Sequence, residues 1–200
     1  GLVPTGVFGT GGVRVTGIIP KVNAGIIDGH RRGIITSTSL MAGGEAFTEA
    51  VSMAKQNPKL GIGIHITLVG GVKPVCDSSE VSSLLTPEGV FPENYVEFIK
   101  RIYSGKINYS ELRKEIHAQI AQIMDTGLRV THIDGHQHMH VLPTVLPIVI
   151  EQAKSFGIHT IRIPDESTGF MNYIPQFDFL VKLVYQRLRL MRDQSYEIIV

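Results

Sequence analysis

The sequence predicts an α/β fold, a parallel sheet with helices outside it in a (β/α)-barrel-like arrangement that is incomplete or distorted. Three observations carry this. β-Branched runs alternate with helical-period segments through five or six units. Glycine, proline or asparagine punctuates most junctions. The 200 residues, 43% hydrophobic and 18% charged, have the composition and length of one ordinary globular domain. A strand–helix alternation builds a parallel sheet, either a barrel or a doubly wound sheet, and the barrel-like arrangement is preferred. Both place ligands at the C-terminal ends of the strands. Residues 1–200 are taken as one (β/α) domain with a long insertion at about 69–108.

The elements follow in order. Pro20 to Arg32 reads as a helix closed by Gly33, and Ile34 to Leu40 as a strand. Glu45 to Gln56 carries Phe47, Ala50, Val51 and Ala54 at helical spacing and ends at Asn57-Pro58. Gly61 to Leu68 alternates: Ile62, Ile64, Ile66 and Leu68 on one face, Gly61, Gly63, His65 and Thr67 on the other. Residues 69–108 break the rhythm with seven glycines and prolines and one short helix at Tyr95 to Tyr103; such a segment is expected to be a lid or substrate loop. Asn108 with Glu111 resembles a capping box opening a helix over Tyr109 to Thr126, whose inner face is Leu112, Ile116, Ile120, Ile123 and Met124. Then come a strand at Arg129 to Asp134, a helix at Pro143 to Phe156, a strand at Ile158 to Ile163, an apolar helix at Pro175 to Arg192, and a strand from Tyr196.

Charge and composition exclude several classes. Nineteen Lys and Arg against eighteen Asp and Glu leave a formal charge of +1, with no basic excess for nucleic acid or an anionic membrane. The longest apolar stretch, Val141 to Ile150, contains Pro143 and Pro147 and has about half the ~20 residues of a membrane span. Gly1 to Gly12 lacks the basic start and apolar core of a signal peptide. The lone Cys76 forms no internal disulfide, so the chain is expected to be cytoplasmic. A homodimer is compatible with all of this.

The histidines carry the chemical signal. Four of eight lie in Thr131-His132-Ile133-Asp134-Gly135-His136-Gln137-His138-Met139-His140, after a strand and before a helix. Alternation puts His132 and Asp134 on one face. Gly135 is expected to turn the backbone sharply so that His136 points across the sheet mouth. His65, late in its own strand, would converge with His136. Two histidines plus a carboxylate hold a divalent ion while leaving positions for water and substrate, as hydrolysis requires. His138 and His140 are expected to line the cleft or face solvent.

The remaining polar features read as ordinary structure. His30, His117 and His159 are isolated. Gly9-Thr10-Gly11-Gly12 lacks the Lys-Ser/Thr of a phosphate loop. Ser37 and Ser39 lie on a strand without a nucleophile elbow, and Cys76 has no flanking motif. Arg162 and Asp165 flank Pro164 and are placed either on substrate or in solvent.

Residues about 17 to 170 resemble the YdjC-like (ChbG) carbohydrate deacetylases. The matching stretches are Pro20 to Ile27, Gly33 to Leu40, Pro58 to His65 and, most specific, Thr131 to Pro143. The resemblance implies a barrel related to polysaccharide deacetylases. It also implies divalent-metal hydrolysis, with magnesium or zinc, of the acetamido group on N-acetylglucosamine-containing oligosaccharides such as chitooligosaccharides. The family's metal histidines fall on His65 and His136. Its opening Asn-Ala-Asp-Asp-Phe-Gly motif, aligned on Gly17, puts its two aspartates, a metal ligand and the base, on Arg14 and Val15. The family's late barrel segments are also absent. Asp134 is then the nearest acidic candidate for the catalytic role, although orienting a histidine suits it better. Two other readings stand beside this one: a catalytically impaired sugar-binding relative, and another barrel metallohydrolase.

Overall fold

The computed structural model describes residues 15–163 and 197–199. Arg14, Asp165 and the helix expected over Pro175 to Arg192 lie outside them. Six strands, β1 (Val15–Thr16), β2 (Ser37–Leu40), β3 (Gly61–Ile66), β4 (Val130–Gly135), β5 (Thr160–Arg162) and β6 (Glu197–Ile199), form one sheet. Its order is that of the chain and every pair is parallel. A doubly wound sheet would reverse its order at a central strand; a sheet that always advances the same way, with right-handed crossovers, keeps its helices on one side. This winding is that of a (β/α) barrel.

Five helices accompany the described strands: α1 (Pro20–Arg31), α2 (Phe47–Lys55), α3 (Tyr95–Tyr103), α4 (Tyr109–Met124) and α5 (Leu146–Ser155). Two strands begin later than their β-branched runs suggest, for one shared reason. Gly33 (φ 82°) and Gly157 (φ 70°) close α1 and α5 in the left-handed region. The following amides turn back to the helix, Ile34 and Ile35 N–H to Gly29 C=O and Ile158 N–H to Ala153 C=O. Residues spent on a helix cap cannot start a ladder. β1 is too short to show in the alternation pattern. α5 starts at Leu146 because a kinked run of tight turns over His136–Val141 fills the approach to it.

Ile62, Ile64, Ile66 and Leu68 form one core with Leu112, Ile116, Ile120 and Ile123 of α4, all essentially inaccessible. Each such side chain is worth about 1.5–3 kcal/mol against exposure, before the entropy of ordering is counted. The insertion joins this core rather than standing clear of it: Val81, Leu84, Phe91 and Phe98 are fully buried. It is also pinned to α4. Asn108 Oδ1 caps α4 by accepting from Ser110 N–H (2.9 Å). The reciprocal half of the capping box is not made, because Asn108 N–H donates to Ser83 Oγ and Glu111 accepts from Ser83 N–H. Buried Glu115 accepts from Val75 N–H, Cys76 N–H and Gln119 Nε2, while Gln119 bonds both N–H and C=O of Thr67. The exit of β3 is thereby fixed to α4.

Candidate active site

Register decides which side chains meet. Val15 pairs with Ser39, Ser39 with Gly63, Gly63 with His132 and His65 with Asp134. Laterally paired residues of parallel strands share a face, so one face carries Val15, Ser39, Gly63, His65, His132 and Asp134. An irregularity between Ile62 and Gly63 skips Thr131 and brings His132 opposite Gly63. His132 lies where a Gly63 side chain would be: a Cβ there would sit 2.4 Å from its Nε2.

Asp134 is the hub. It is 2% exposed and accepts two short hydrogen bonds, from Ser39 Oγ (2.6 Å, to Oδ2) and from His65 Nδ1 (2.6 Å, to Oδ1). Arg162 Nη1 stands 3.6 Å from Oδ2. Burial pushes the carboxyl up, but His65 and the Ser39 hydroxyl outweigh it and hold Asp134 well below the usual carboxylate range. An ionised Asp134 fixes the His65 proton on Nδ1, which leaves the Nε2 lone pair to accept from His136 Nδ1–H.

That Nε2 faces His136 Nδ1 at 3.3 Å, with the two rings edge to face. Burial, then the charges of His65 and His138, push His136 down to about 4, so it is neutral near pH 7. On its other side, a Gly70 Cβ would come within 3.0 Å of His136 Nε2, and Gly70 has φ 100°. Glycine at 70 therefore meets two demands, a left-handed backbone and room for the imidazole.

Gly135 does not make the sharp turn expected of it. Its φ is −162°, extended backbone open to any residue. What it supplies is space: a Cβ would lie 2.6 Å from His140 Nδ1. The turn falls instead on Gln137 (φ 47°) and His138 (φ 59°), the only non-glycine residues with positive φ among those described. A left-handed residue bearing a Cβ costs about 1–2 kcal/mol. Gln137 Oε1 accepts from Tyr95 N–H (2.9 Å).

The cluster therefore divides. His65 and His136 meet at the strand ends. His132 lies beneath them against Ser39 Oγ (3.2 Å) and Thr131 Oγ1 (2.9 Å). His140 is 1% exposed rather than lining the cleft or facing solvent; one ring nitrogen bonds Arg162 C=O (2.8 Å) and the other, Nδ1, has no partner among the described residues. Burial pushes His140 to about 4 and lowers His132 and His138 as well. His138 is half-buried near His140. Sequence reasoning weighed Ser39 only as a nucleophile and passed over its place at the hub. Strand alternation in Ser37-Thr38-Ser39, set beside the Gly63–His65 face, is the signal that finds it. Gln137 and Gly70 have no local signature of their roles.

The described residues contain no gathering of three His, Cys, Asp or Glu groups able to hold a metal. The two facing histidines nevertheless fit part of a site. Two nitrogens on one tetrahedral ion, at bonds of ~2.0–2.1 Å, stand about 3.3–3.4 Å apart, and these stand 3.3 Å apart. Val15, one of the two positions on which the resemblance puts an aspartate, is buried and apolar at 8% exposure. No helix among the described residues is long and apolar enough to cross a membrane.

Residues 16–196 match the family described as YdjC-like protein. The chain is 39% identical over 143 residues to a carbohydrate deacetylase of Brevibacillus brevis, covering 72% of this chain and 54% of that protein. It is 34% identical over 152 residues to a carbohydrate deacetylase of Mus musculus, covering 75% and 48%. A crystal structure from Enterococcus faecalis, described provisionally as a cellobiose-phosphate cleavage protein, superposes with TM-score 0.69 at 30% identity, covering 84% of this chain and 63% of that one. The chain spans about half the length of the curated relatives it matches. With nearly its whole length inside the family match and its sheet wound as a barrel, this chain belongs to the YdjC-like family.

Proposed function

We propose that this chain is a divalent-metal hydrolase that removes the acetyl group from N-acetylglucosamine-containing oligosaccharides of the chitooligosaccharide type. The observation that carries it is the facing pair His65 Nε2 and His136 Nδ1, 3.3 Å apart at the mouth of the sheet. The names of the curated relatives, carbohydrate deacetylases, support the same chemistry. His65 and His136 would hold the ion, magnesium or zinc. When bound, it supplies a water of lowered pKa and an electrophile for the acetyl oxygen. Asp134 keeps the His65 proton on Nδ1 and raises the basicity of Nε2. Both its oxygens are engaged, and Oδ1 lies on the side of His65 away from His136. In this reading Asp134 acts on the reaction by orienting His65. The near-neutral charge and half-buried Cys76 fit a cytoplasmic enzyme acting on a small neutral sugar.

Acetate release from N,N′-diacetylchitobiose tests the proposal. It should need zinc or magnesium, stop with chelator, and fall at least about 10²-fold in His65→Ala and His136→Ala. Turnover that ignores chelator would refute it.

One observation favours a second reading, a sugar-binding relative with little turnover. Val15 shares a face with His65 and Asp134 but brings no carboxylate. Saturable chitooligosaccharide binding without acetate release, whatever the metal, would decide for it.

A further inference from the structure

We infer that Gln137 is a positioning residue: its side chain is a strut from the first turn of α3 that holds His136 in place, so the insertion sets the geometry of the histidine pair. This deepens the proposed function, because His136 is one of its two candidate ligands.

β4 leaves the sheet extended through Gly135, and immediately after His136 two residues with side chains, Gln137 (φ 47°, ψ 28°) and His138 (φ 59°, ψ 20°), take the left-handed conformation. Neither is the glycine or asparagine that tolerates it, and such a conformation persists only where the surroundings over-determine it. One such constraint is the bond from Tyr95 N–H to Gln137 Oε1 (2.9 Å). Tyr95 is the first residue of α3, so this N–H is one of the donors a helix leaves without an internal partner. Asn94 Oδ1 takes the donor at Glu97 (3.2 Å). Gln137 thus serves as a second cap, supplied from another part of the chain.

The opposite flank of His136 is built from the same segment. His136 Nε2 packs against Gly70, whose N–H donates to Pro92 C=O (2.8 Å), while Phe91 N–H donates to Val72 C=O (2.9 Å). Residues 91–95 therefore run from the glycine behind His136 to the amide that holds Gln137. Phe91 and Phe98 on either side of this run are buried in the core, which makes it a firm anchor. One stretch of the insertion thus both backs the imidazole and bonds the residue that follows it.

Three substitutions separate a strut from simple backbone tolerance. Gln137→Gly relieves the left-handed strain but removes the acceptor. Gln137→Asn tolerates the conformation but is one methylene too short. Gln137→Glu keeps the acceptor and places its charge at a helix N-terminus, where it is favoured. The assay is zinc affinity by calorimetric titration, with imidazole 15N shifts of His136, amide exchange at Tyr95 and thermal melting alongside. The expected result is about 10-fold weaker zinc binding in Gly and Asn and a value within about 3-fold of the parent in Glu. Faster Tyr95 exchange and shifted His136 signals should accompany Gly and Asn, with no loss of melting temperature in Gly. Parent-like affinity and His136 signals in Gly, or equal losses in Gly and Glu, would overturn the inference. Should the parent chain bind neither zinc nor magnesium, the proposed function fails. The strut is then judged by His136 shifts and Tyr95 exchange in the metal-free protein, where unchanged values in Gly and Asn would overturn it.

Discussion

Removing the carboxylate of Asp134 should damage both the fold and the site, and two substitutions divide the effect. In Asp134→Ala, His65 Nδ1–H and Ser39 Oγ–H lose acceptors 2.6 Å away, and Arg162 loses an anion at 3.6 Å. A hydrogen bond to a charged group is worth about 1.5–3 kcal/mol, so two amount to roughly 3–6 kcal/mol. That is a large part of a total stability of about 5–15 kcal/mol. Asp134→Asn behaves differently. Its amide oxygen can still accept from His65 Nδ1–H. Its NH2 can donate to Ser39 Oγ, whose own proton then turns to His132 Nε2, 3.2 Å away. The hydrogen bonds survive and the charge does not, so the stability loss should be near 1 kcal/mol. Zinc affinity should fall about 10-fold in Asn, through lower basicity of His65, and about 100-fold in Ala, through lost orientation as well. Urea unfolding and calorimetric zinc titration measure the two quantities. An Ala variant that binds zinc like the parent would refute the orienting role, and one as stable as the parent would refute the hydrogen-bond account.

Other outcomes follow from the same geometry. Gly135→Ala should cost about 1–3 kcal/mol through overlap with the His140 ring, whereas Gly25→Ala in α1, with nothing within 4 Å of the new methyl, should stabilise by about 0.5–1 kcal/mol; thermal melts of both check this. Burial pushes His140 from 6.5 to about 4, so between those values the unfolded chain binds more protons than the folded one. Its neutral burial is harmless above pH 6.5 and destabilises progressively down to about pH 4, by up to ~3 kcal/mol, with His136 acting in the same direction. Urea midpoints that stay level from pH 7 to 4 would refute this. Restoring carboxylates with Arg14→Asp and Val15→Asp should raise acetate release at least about 10²-fold in the presence of metal. No gain while metal still binds would point to another missing group.

Periodicity made most of the fold legible. The Ile62–Leu68 alternation and the Leu112–Ile123 stripe are direct records of burial, and they placed β3 and α4 within two residues of where they lie. What periodicity misses is competition for backbone hydrogen bonds. Ile34, Ile35 and Ile158 have strand-forming side chains, but their amides are taken by helix ends. The histidine run marked the site because so many imidazoles in one turn have little use in packing. Together with the late place of His65 in its strand it led to the expectation that His65 and His136 converge; it did not say which histidine Asp134 would hold, since that depends on the His65–Asp134 register between residues far apart in the chain. Gly135 shows the limit of local reasoning. A glycine before a turn suggests conformational freedom, yet here it clears space for a side chain five residues further on.

His65 and His136 should share one divalent ion. A crystal structure of the zinc-loaded protein tests it most directly. It should show a single ion about 2.0–2.1 Å from both His65 Nε2 and His136 Nδ1, with Asp134 still bonded to His65 Nδ1. An ion bound to neither histidine, or to one with the other's ring nitrogen more than about 5 Å away, would contradict it.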